Sequence, residues 1–341
     1  MVRIALLIAL AATSVSSAQS DPWFSTFSII AWDPATKELG VAVQSRAFGA
    51  GAAVPWAEPG VGAVATQASA NRSYGPKAMA LLKQGLSPAD VVTRITDEDS
   101  GRDSRQVAVI DTQGRSAVYT GKRVIDRNFD KNDPVHYGGY AGHVSGKNFS
   151  AQGNTLASEE VVKAMAVAYD NGKGSMAERL MDALDAAQAK GGDTRGMQSA
   201  GILVVRPLDP NSQSTVERVV DIRVDDAEDP FTELRRLLYM TNGEINRITE
   251  RASALAKEGK LADAIKEQNR ALEINPRSEQ VMYALASLYA RADDQRHAIE
   301  LLSRAIQRQP KVWRPRAQSD DVFAKMRNRP EFQRLMADGT R

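Results

Sequence analysis

The pattern of apolar and polar residues divides the chain into a strand-rich first part and a helical last third. Runs in which apolar and polar residues alternate, bounded by turn residues, predict two hairpins. The paired segments are Thr26–Asp33 with Glu38–Ser45, and Arg105–Asp111 with 115–120. Further strands are predicted at 60–67, 198–206 and Arg218–Val224, and helices at 75–84, 89–96, 159–169, Met176–Ala189 and 230–240. Strand pairs that alternate with helix pairs favour an α+β fold, with two sheets sandwiched between helical layers, over a parallel βαβ sheet.

The last third of the chain repeats itself when segment 245–278 is aligned with segment 279–312. The identical pairs are Ala252 and Ala286, Ala256 and Ala290, Ala264 and Ala298, Ile265 and Ile299, Arg270 and Arg304, Ala271 and Ala305, and Pro276 and Pro310. A period of about 34 residues with small residues at helical spacing resembles the tetratricopeptide repeat (TPR), a helix–turn–helix unit. Segment 313–336 predicts a closing helix. We therefore expect a first domain at 26–237 and a small all-α TPR-like domain at 243–341.

Two repeat units make a small groove, which leaves two interpretations of the tail. TPR arrays usually present a concave surface to a peptide or a partner protein, so the tail predicts protein–protein interaction. The alternative is a stabilising or dimerising appendage, and formation of a homo-oligomer stays open.

The first 18 residues predict a secretory signal peptide that is not part of the fold. Arg3 gives a basic start, residues 4–12 form an apolar run, and small residues end at Ala18. This run is shorter than the roughly 20 apolar residues that a membrane span needs. We expect cleavage near Ala18 and a periplasmic or secreted protein without a membrane span; a buried N-terminal strand is the alternative.

Composition argues against several classes of function. The formal net charge is +2, and this near-neutral balance gives no basis for nucleic-acid binding, which needs clustered Lys and Arg. The chain has no cysteine, which excludes disulfides, thiolate metal sites and a cysteine nucleophile. It carries no dinucleotide fingerprint or phosphate loop, so no cofactor is predicted. Asp225, Asp226 and Asp229 lack the spacing of a calcium loop, and a solvated turn without a metal is favoured.

Five separated segments of the first domain carry a common set of motifs. In chain order they read TFSIIAWDPATKELGVAVQS, PWAEPGVGAVATQASANRSYGP, GHVSGKNFSAQGNTLAS, GGDTRGMQSA and DIRVDD. Together they resemble the bacterial and archaeal family called domain of unknown function 1028. That family is grouped with the N-terminal-nucleophile (Ntn) hydrolases. The resemblance therefore implies a four-layer αββα sandwich and an amidase-like activity on a small-molecule or peptide substrate.

Thr26, at the start of the first strand, is the position that resembles the Ntn nucleophile. In such enzymes the free α-amine of the nucleophile acts as the base, because its pKa of about 8 is close to working pH. Cleavage after Ala18 leaves seven residues ahead of Thr26, so the amine requires a second cut between Ser25 and Thr26. Ser25 and Ser28 are fallback hydroxyls. The alternative for Thr26 is an ordinary β-branched strand residue.

The end of the second strand supplies further candidates. Gln44 and Ser45 end this strand and Arg46 follows them. In Ntn folds this end of the paired sheets lies near the nucleophile. The resemblance therefore implies a catalytic position for Ser45 and substrate contacts for Gln44 and Arg46.

Three amides are candidates for stabilising a tetrahedral oxyanion. Gln67, Asn71 and Asn154 lie in the matched motifs, and each could donate a side-chain N–H to such an oxyanion. Tyr74 is expected to pack over the cleft. Each of these polar residues could instead satisfy the local backbone.

Three charged or titratable residues complete the predicted site. His143 lies in a glycine-rich segment, where it could orient substrate or donate a proton near neutral pH; a structural histidine is the alternative. Asp193 and Arg195 could shape a loop as a charged pair or bind an anionic substrate group. The segment 122–137, rich in Asp and Asn, is either a lid or a surface excursion.

The leading hypothesis is an exported Ntn-type hydrolase that cleaves an amide bond. The alternative is a non-catalytic binding or assembly protein in which the TPR tail recognises the partner.

Overall fold

The computed structural model describes residues 26–129, 139–208, 217–241 and 243–337. Its strands are β1 (Thr26–Asp33), β2 (Glu38–Ser45), β3 (Pro55–Glu58), β4 (Gly62–Ala68), β5 (Arg105–Asp111), β6 (Ser116–Thr120), β7 (Tyr140–Gly146), β8 (Phe149–Leu156), β9 (Ser199–Val205) and β10 (Arg218–Val224). The helices of the first part are α1 (Ala50–Ala53), α2 (Tyr74–Lys83), α3 (Pro88–Asp97), α4 (Lys122–Phe129), α5 (Glu160–Asn171), α6 (Met176–Ala189) and α7 (Pro230–Thr241). Those of the tail are α8 (Glu244–Lys257), α9 (Leu261–Ile274), α10 (Glu279–Arg291), α11 (Gln295–Arg308), α12 (Pro310–Ser319) and α13 (Pro330–Met336).

The strands form two antiparallel sheets. One has six strands in the order β10–β9–β2–β1–β8–β7, and the other has four in the order β3–β4–β5–β6. β1 lies inside the larger sheet, between β2 and β8. A residue at the start of β1 therefore has a neighbouring strand on each side.

The alternating side chains of β1 show how the layers pack. Phe27, Ile29 and Ala31 point to one face, where they pack with residues of α5, α6 and α7. Ile30 and Trp32 point to the other face and pack with residues of β4 and β5. The outer face of the four-stranded sheet is covered by α2 and α3. The described residues thus form successive helix, sheet, sheet and helix layers, and the α+β prediction is confirmed.

Two helices begin at sequence signals of known type. Ser87 accepts a hydrogen bond from the Asp90 backbone N–H, and Pro88 occupies the first turn of α3. Ser175 and Glu178 form a reciprocal capping box at the start of α6. These caps fix where the two helices begin against their sheets.

The structure differs from the sequence predictions in several segments. The glycine-rich segment around His143 forms the hairpin of β7 and β8, which the sequence predictions did not include. α1 and the short edge strand β3 were not predicted, because each has only four residues and no clear periodicity. The first half of segment 122–137, interpreted as a lid or a surface excursion, forms α4 with Val124 buried. Residues 130–138 and the predicted signal peptide at 1–18 lie outside the described residues.

The tail contains the predicted pairs of helices. α8 packs on α9 and α10 packs on α11, and α12 and α13 follow them. The repeated alanines are buried at the helix contacts: Ala252, Ala256, Ala264, Ala271, Ala286, Ala290, Ala298 and Ala305. Small side chains at these positions allow the paired helices to approach each other closely. Within the ranges described above, no helix is long and apolar enough to cross a membrane.

α7 connects the tail to the first domain through contacts on both sides. Phe231, Leu234 and Leu238 belong to the same core cluster as α6 and the six-stranded sheet. On its other side, Arg236 Nη1 donates to the Ile274 carbonyl of α9 at 3.0 Å. The tail is therefore attached through a helix that is itself part of the domain core.

Enlarging a buried alanine of the tail should destabilise it. Ala252 on α8 is 1% exposed, whereas Ala254 on the same helix is exposed. We expect Ala252→Leu to lower the free energy of unfolding of the tail by about 1–3 kcal/mol, because the added atoms overpack the helix contact. Urea unfolding followed by circular dichroism measures this change. Ala254→Leu is the matched control, with an expected change within about 0.5 kcal/mol; equal effects of the two substitutions would contradict this packing.

Candidate functional site

The space between the two sheets changes from apolar to polar at the Thr26 end of β1. Farther along β1, Ile30 faces apolar residues of the opposite sheet. At the beginning of the strand, the residues that point into this space are polar and at most 2% exposed. We call them the inter-sheet polar cluster: Thr26, Ser28, Ser45, Gln67, Gln106, Gln152 and Asn154.

Strand register brings the cluster together. Thr26 lies opposite Ser45 on β2 and opposite Asn154 on β8. Directly opposed residues of an antiparallel pair point to the same face, with Cβ atoms about 4.5–5.5 Å apart. Gln67 on β4 and Gln106 on β5 are a register pair of the other sheet. Four of the five residues predicted to be catalytic, all but Asn71, are thus placed in one cluster.

Thr26 is hydrogen-bonded through both its side chain and its backbone. Its Oγ1 donates to Ser45 Oγ at 3.1 Å. Its carbonyl oxygen accepts from Gln67 Nε2 at 3.3 Å. These bonds fix the hydroxyl and the peptide plane of the residue at the start of β1.

Gln106 connects the amides on either side of Thr26. Its Oε1 accepts from Gln67 Nε2 at 2.7 Å and from Asn154 Nδ2 at 3.1 Å. Its Nε2 donates to Thr120 Oγ1 at 3.0 Å and to the Gly153 carbonyl at 2.9 Å. Sequence reasoning missed this residue. The sequence signal that could have found it is a polar residue at an inward-facing position of β5. The other inward-facing residues of this strand, Ala108 and Ile110, are apolar.

Ser28 and Gln152 extend the cluster away from Thr26. Ser28 Oγ donates to Gln67 Oε1 at 2.6 Å and accepts from Gln152 Nε2 at 2.7 Å. Ser28 is therefore committed to the amide network, which argues against its use as a fallback nucleophile.

Unusual backbone conformations flank two of the amides. Ala68, directly after Gln67, has φ 62°, and Thr155, directly after Asn154, has φ 54°. At Thr155 the pairing of β8 with β7 shifts, so that Gly153 lies opposite Gly142 but Leu156 lies opposite Tyr140. Such a bulge re-aims neighbouring side chains, and positive φ is costly for a β-branched residue. Strain of this kind is concentrated where a structure must hold a particular geometry.

The loop that follows α6 forms the rim beside the cluster. Asp193, whose side chain is fully buried, accepts from the Arg46 backbone N–H at 3.2 Å and pairs with Arg195 at 2.8 Å. Gln44 Nε2 donates to the Gly196 carbonyl at 3.3 Å, and Arg46 Nη1 donates to the Met197 carbonyl at 2.9 Å. These four predicted site residues thus hold the loop against the end of β2. The loop-shaping interpretation of Asp193 and Arg195 agrees with these bonds.

Asn71 and Tyr74 belong to a different cluster, centred on Asp99. Asn71 Nδ2 and the Tyr74 hydroxyl donate to Asp99 Oδ2 at 2.9 and 2.8 Å, and Arg105 Nε lies 3.0 Å from it. Burial alone would raise the pKa of Asp99, but hydrogen bonds from Asn71, Gly101, Tyr74 and Arg105 hold it well below its usual range. The placement of Tyr74 over the cleft is wrong, because its ring is fully buried in the core between the helices α2 and α3 and the four-stranded sheet. The described bonds of the Asn71 side chain likewise lead to Asp99 and the Ser73 turn.

His143 lies at the outer margin of the polar cluster. It is on β7, the edge strand of the six-stranded sheet, and is exposed. Its register partner is Gln152, so both side chains point to the same face. His143 is separated from Thr26 by β8.

The described part of the chain holds no group of three or more His, Asp or Glu side chains that could bind a metal ion. Asp229, from the predicted acidic cluster, accepts from the backbone N–H groups of Phe231 and Thr232 at the start of α7.

The fold and site define a two-sheet α+β domain with a buried amide cluster, followed by helical repeats. The model of the family of unknown function DUF1028 matches residues 26–234, and a tetratricopeptide-repeat model matches residues 248–278. The chain therefore belongs to the DUF1028 family. It is similar to a crystal structure of a DUF1028 protein from Silicibacter pomeroyi, with 30% identity and a TM-score of 0.53, over 63% of this chain and 88% of that one. A comparison with curated proteins finds no match.

Replacing Thr155 by glycine should stabilise the fold. Glycine adopts positive φ without the steric cost that a β-branched residue carries there. We expect Thr155→Gly to raise the free energy of unfolding by about 1 kcal/mol. Thr112→Gly is the matched control in a turn without positive φ, and it should lower stability because glycine increases the entropy of the unfolded chain. Urea denaturation of both variants measures the difference; losses of equal size would contradict strain at Thr155.

Proposed function

We propose that the protein is an exported Ntn-type hydrolase that cleaves an amide bond in a small molecule or peptide. Thr26 Oγ1 is the nucleophile of this proposal. The observation that carries it is the position of Thr26: it begins an inner strand of the larger sheet, its hydroxyl donates to Ser45, and its carbonyl accepts from Gln67 of the other sheet. The layer order and the family membership support an Ntn-type fold. Export is proposed from the apolar segment near the start of the chain.

The reaction uses the Thr26 hydroxyl and its own freed α-amine. Oγ1 attacks the amide carbonyl carbon while its proton passes to the α-amine, which gives a tetrahedral oxyanion. Collapse breaks the C–N bond, the leaving amine takes the proton, and an acyl ester remains on Thr26. Water, deprotonated by the same amine, then attacks the ester and releases the acid. One residue thus serves as nucleophile and base, so no histidine takes part.

Asn154 is the better placed oxyanion donor. Gln67 Nε2 carries two hydrogens, and both are used, one by the Thr26 carbonyl and one by Gln106. Asn154 Nδ2 donates one hydrogen to Gln106, and its second takes part in no hydrogen bond recorded among the described residues. Asn154 also lies directly opposite Thr26. In this proposal Asn154 stabilises the oxyanion, Gln67 holds the Thr26 backbone, and Ser45 orients the hydroxyl.

The mechanism requires that the bond between Ser25 and Thr26 be cut. Thr26 is 0% exposed, and residues 1–25 lie outside the described part of the chain. The cut would supply the base, the free α-amine of Thr26.

Substitution of Thr26 tests the proposed nucleophile. Chains trimmed to begin at residue 26, carrying Thr26, Thr26→Ser or Thr26→Ala, are incubated with a panel of acyl anilides and analysed by intact mass and peptide mapping. We expect one acyl adduct on residue 26 in the first two chains and none in Thr26→Ala, whose turnover should fall by at least about 1000-fold. Thr112→Ala is the control for loss of a threonine hydroxyl outside the cluster. An adduct on Ser28, or undiminished turnover by Thr26→Ala, would overturn the assignment.

The tail supports a second proposal, recognition of a protein partner. The TPR match and the paired helices of the tail favour this role. It is independent of Thr26 chemistry: partner binding should be unchanged in Thr26→Ala, whereas turnover should be lost.

A further inference from the structure

Gln106 occupies a position where the direction of every hydrogen bond is determined by the backbone. Its Nε2 faces the carbonyl oxygens of Gly153 at 2.9 Å and Gly142 at 3.5 Å. Carbonyl oxygens only accept, so the amide nitrogen must lie on this side and the amide oxygen on the other. The orientation of Gln106 therefore does not depend on choosing between two similar amide rotamers.

The orientation of the Gln106 amide determines the orientation of the amides that it contacts. Because Gln106 Oε1 is an acceptor, Gln67 and Asn154 must both turn their nitrogen atoms toward it. Gln67 then presents Oε1 to Ser28, whose hydroxyl donates to it, and Ser28 in turn accepts from Gln152. The chain of hydrogen bonds thus runs in a single donor-to-acceptor direction, from Gln152 to the Gly153 carbonyl.

We propose that Gln106 is a positioning residue that keeps the N–H side of Asn154 and of Gln67 directed toward Thr26. This inference rests on the proposed role of Thr26. A half-turn of the Asn154 amide would present Oδ1, an acceptor, where the oxyanion forms, and it would repel the developing charge instead of stabilising it. Gln106 prevents that turn because it needs a donor from Asn154. It touches neither the substrate nor the reacting atoms.

The burial of the cluster explains why one residue has this influence. Gln67, Gln106 and Gln152 are 0% exposed, so water does not compete for their donors and acceptors. In such an environment an amide rotates only if its new partners are as good as the old ones. With Gln106 in place, a turned Asn154 amide would bring its Oδ1 against Gln106 Oε1. With Gln106 replaced by an apolar residue, both orientations of the Asn154 amide become available.

Two substitutions separate positioning from packing. Gln106→Met keeps the length of the side chain but removes its donors and acceptor. Gln106→Glu keeps the shape: when protonated, its carboxyl can donate to Gly153 and accept from Gln67 and Asn154, but when ionised it places a charged oxygen against the Gly153 carbonyl. Gln113→Glu makes the same charge change in an exposed turn and is the matched control.

The first readout is independent of activity. The side-chain amide signals of Gln67 and Asn154 are followed by NMR with hydrogen exchange in the full chain. We expect Gln106→Met to shift both signals and to reduce their exchange protection, while backbone protection in β4 and β8 is retained. Unchanged Gln67 and Asn154 signals in this variant would overturn the positioning role, whatever the protein does catalytically.

The second readout is the rate at which Thr26 is acylated in chains that begin at this residue. We expect Gln106→Met to lower this rate by about 100-fold without a matching change in KM, as for misplacement of a catalytic group. For Gln106→Glu, the rate relative to wild type should fall as pH rises, because burial raises the pKa of the introduced carboxyl and its useful protonated form is lost. If Gln106→Met does not fold, Gln106→Glu still tests the inference. A rate ratio that does not vary with pH would contradict the inference. Absence of acylation in the wild-type chain would instead contradict the proposed function, and the NMR result alone would then test the positioning role of Gln106.

Discussion

Polar side chains enclosed between two stacked sheets have no access to bulk water, so a donor or acceptor without a hydrogen-bond partner in the protein is costly. This constraint governs the Thr26 end of the first domain. Seven buried polar residues meet where the remainder of the inter-sheet space is filled by Ile, Val and Ala. An apolar core would be simpler to build at this position. A connected amide network at this position therefore indicates a functional role. The proposed role of Thr26, which lies at the edge of the network, accounts for it.

The surrounding structure holds this network in one arrangement. Strand register places Gln67 and Asn154 in this network, and a residue with positive φ follows each of them, Ala68 and Thr155. The loop after α6 is pinned to β2 by Arg46 and to β8 by the bond from the Thr194 N–H to the Thr155 carbonyl at 3.0 Å. Strands on both sides of β1 are thus held at the end where Thr26 begins. The tail is attached through α7, whose Phe231 packs edge-on against Phe27 of β1.

Sequence patterns were sufficient for elements with strong periodicity and insufficient for contacts set by register. Turn residues bound β1 and β2, whose two faces are both buried, and the alanines of the tail recur at one period, so these elements were predicted closely. Gln106 was missed because its importance depends on Gly153 and Asn154, which lie 47 and 48 residues away in the chain. Tyr74 and Asn71 were grouped with Thr26 because they share a motif with Gln67. The backbone turns after Ala68, however, and directs them to Asp99 instead.

The central claim is that Thr26 acts through a free α-amine, and the N-terminus of the naturally matured chain tests it most directly. Intact mass and N-terminal sequencing are applied to the protein produced in cells from the full sequence, with the proposed signal segment in place. If Thr26 is the nucleophile, the mature chain begins at Thr26. A mature chain that begins near Gln19 and stays unchanged on standing would leave Thr26 without its base. That result would contradict the Ntn mechanism and favour a binding role for the domain.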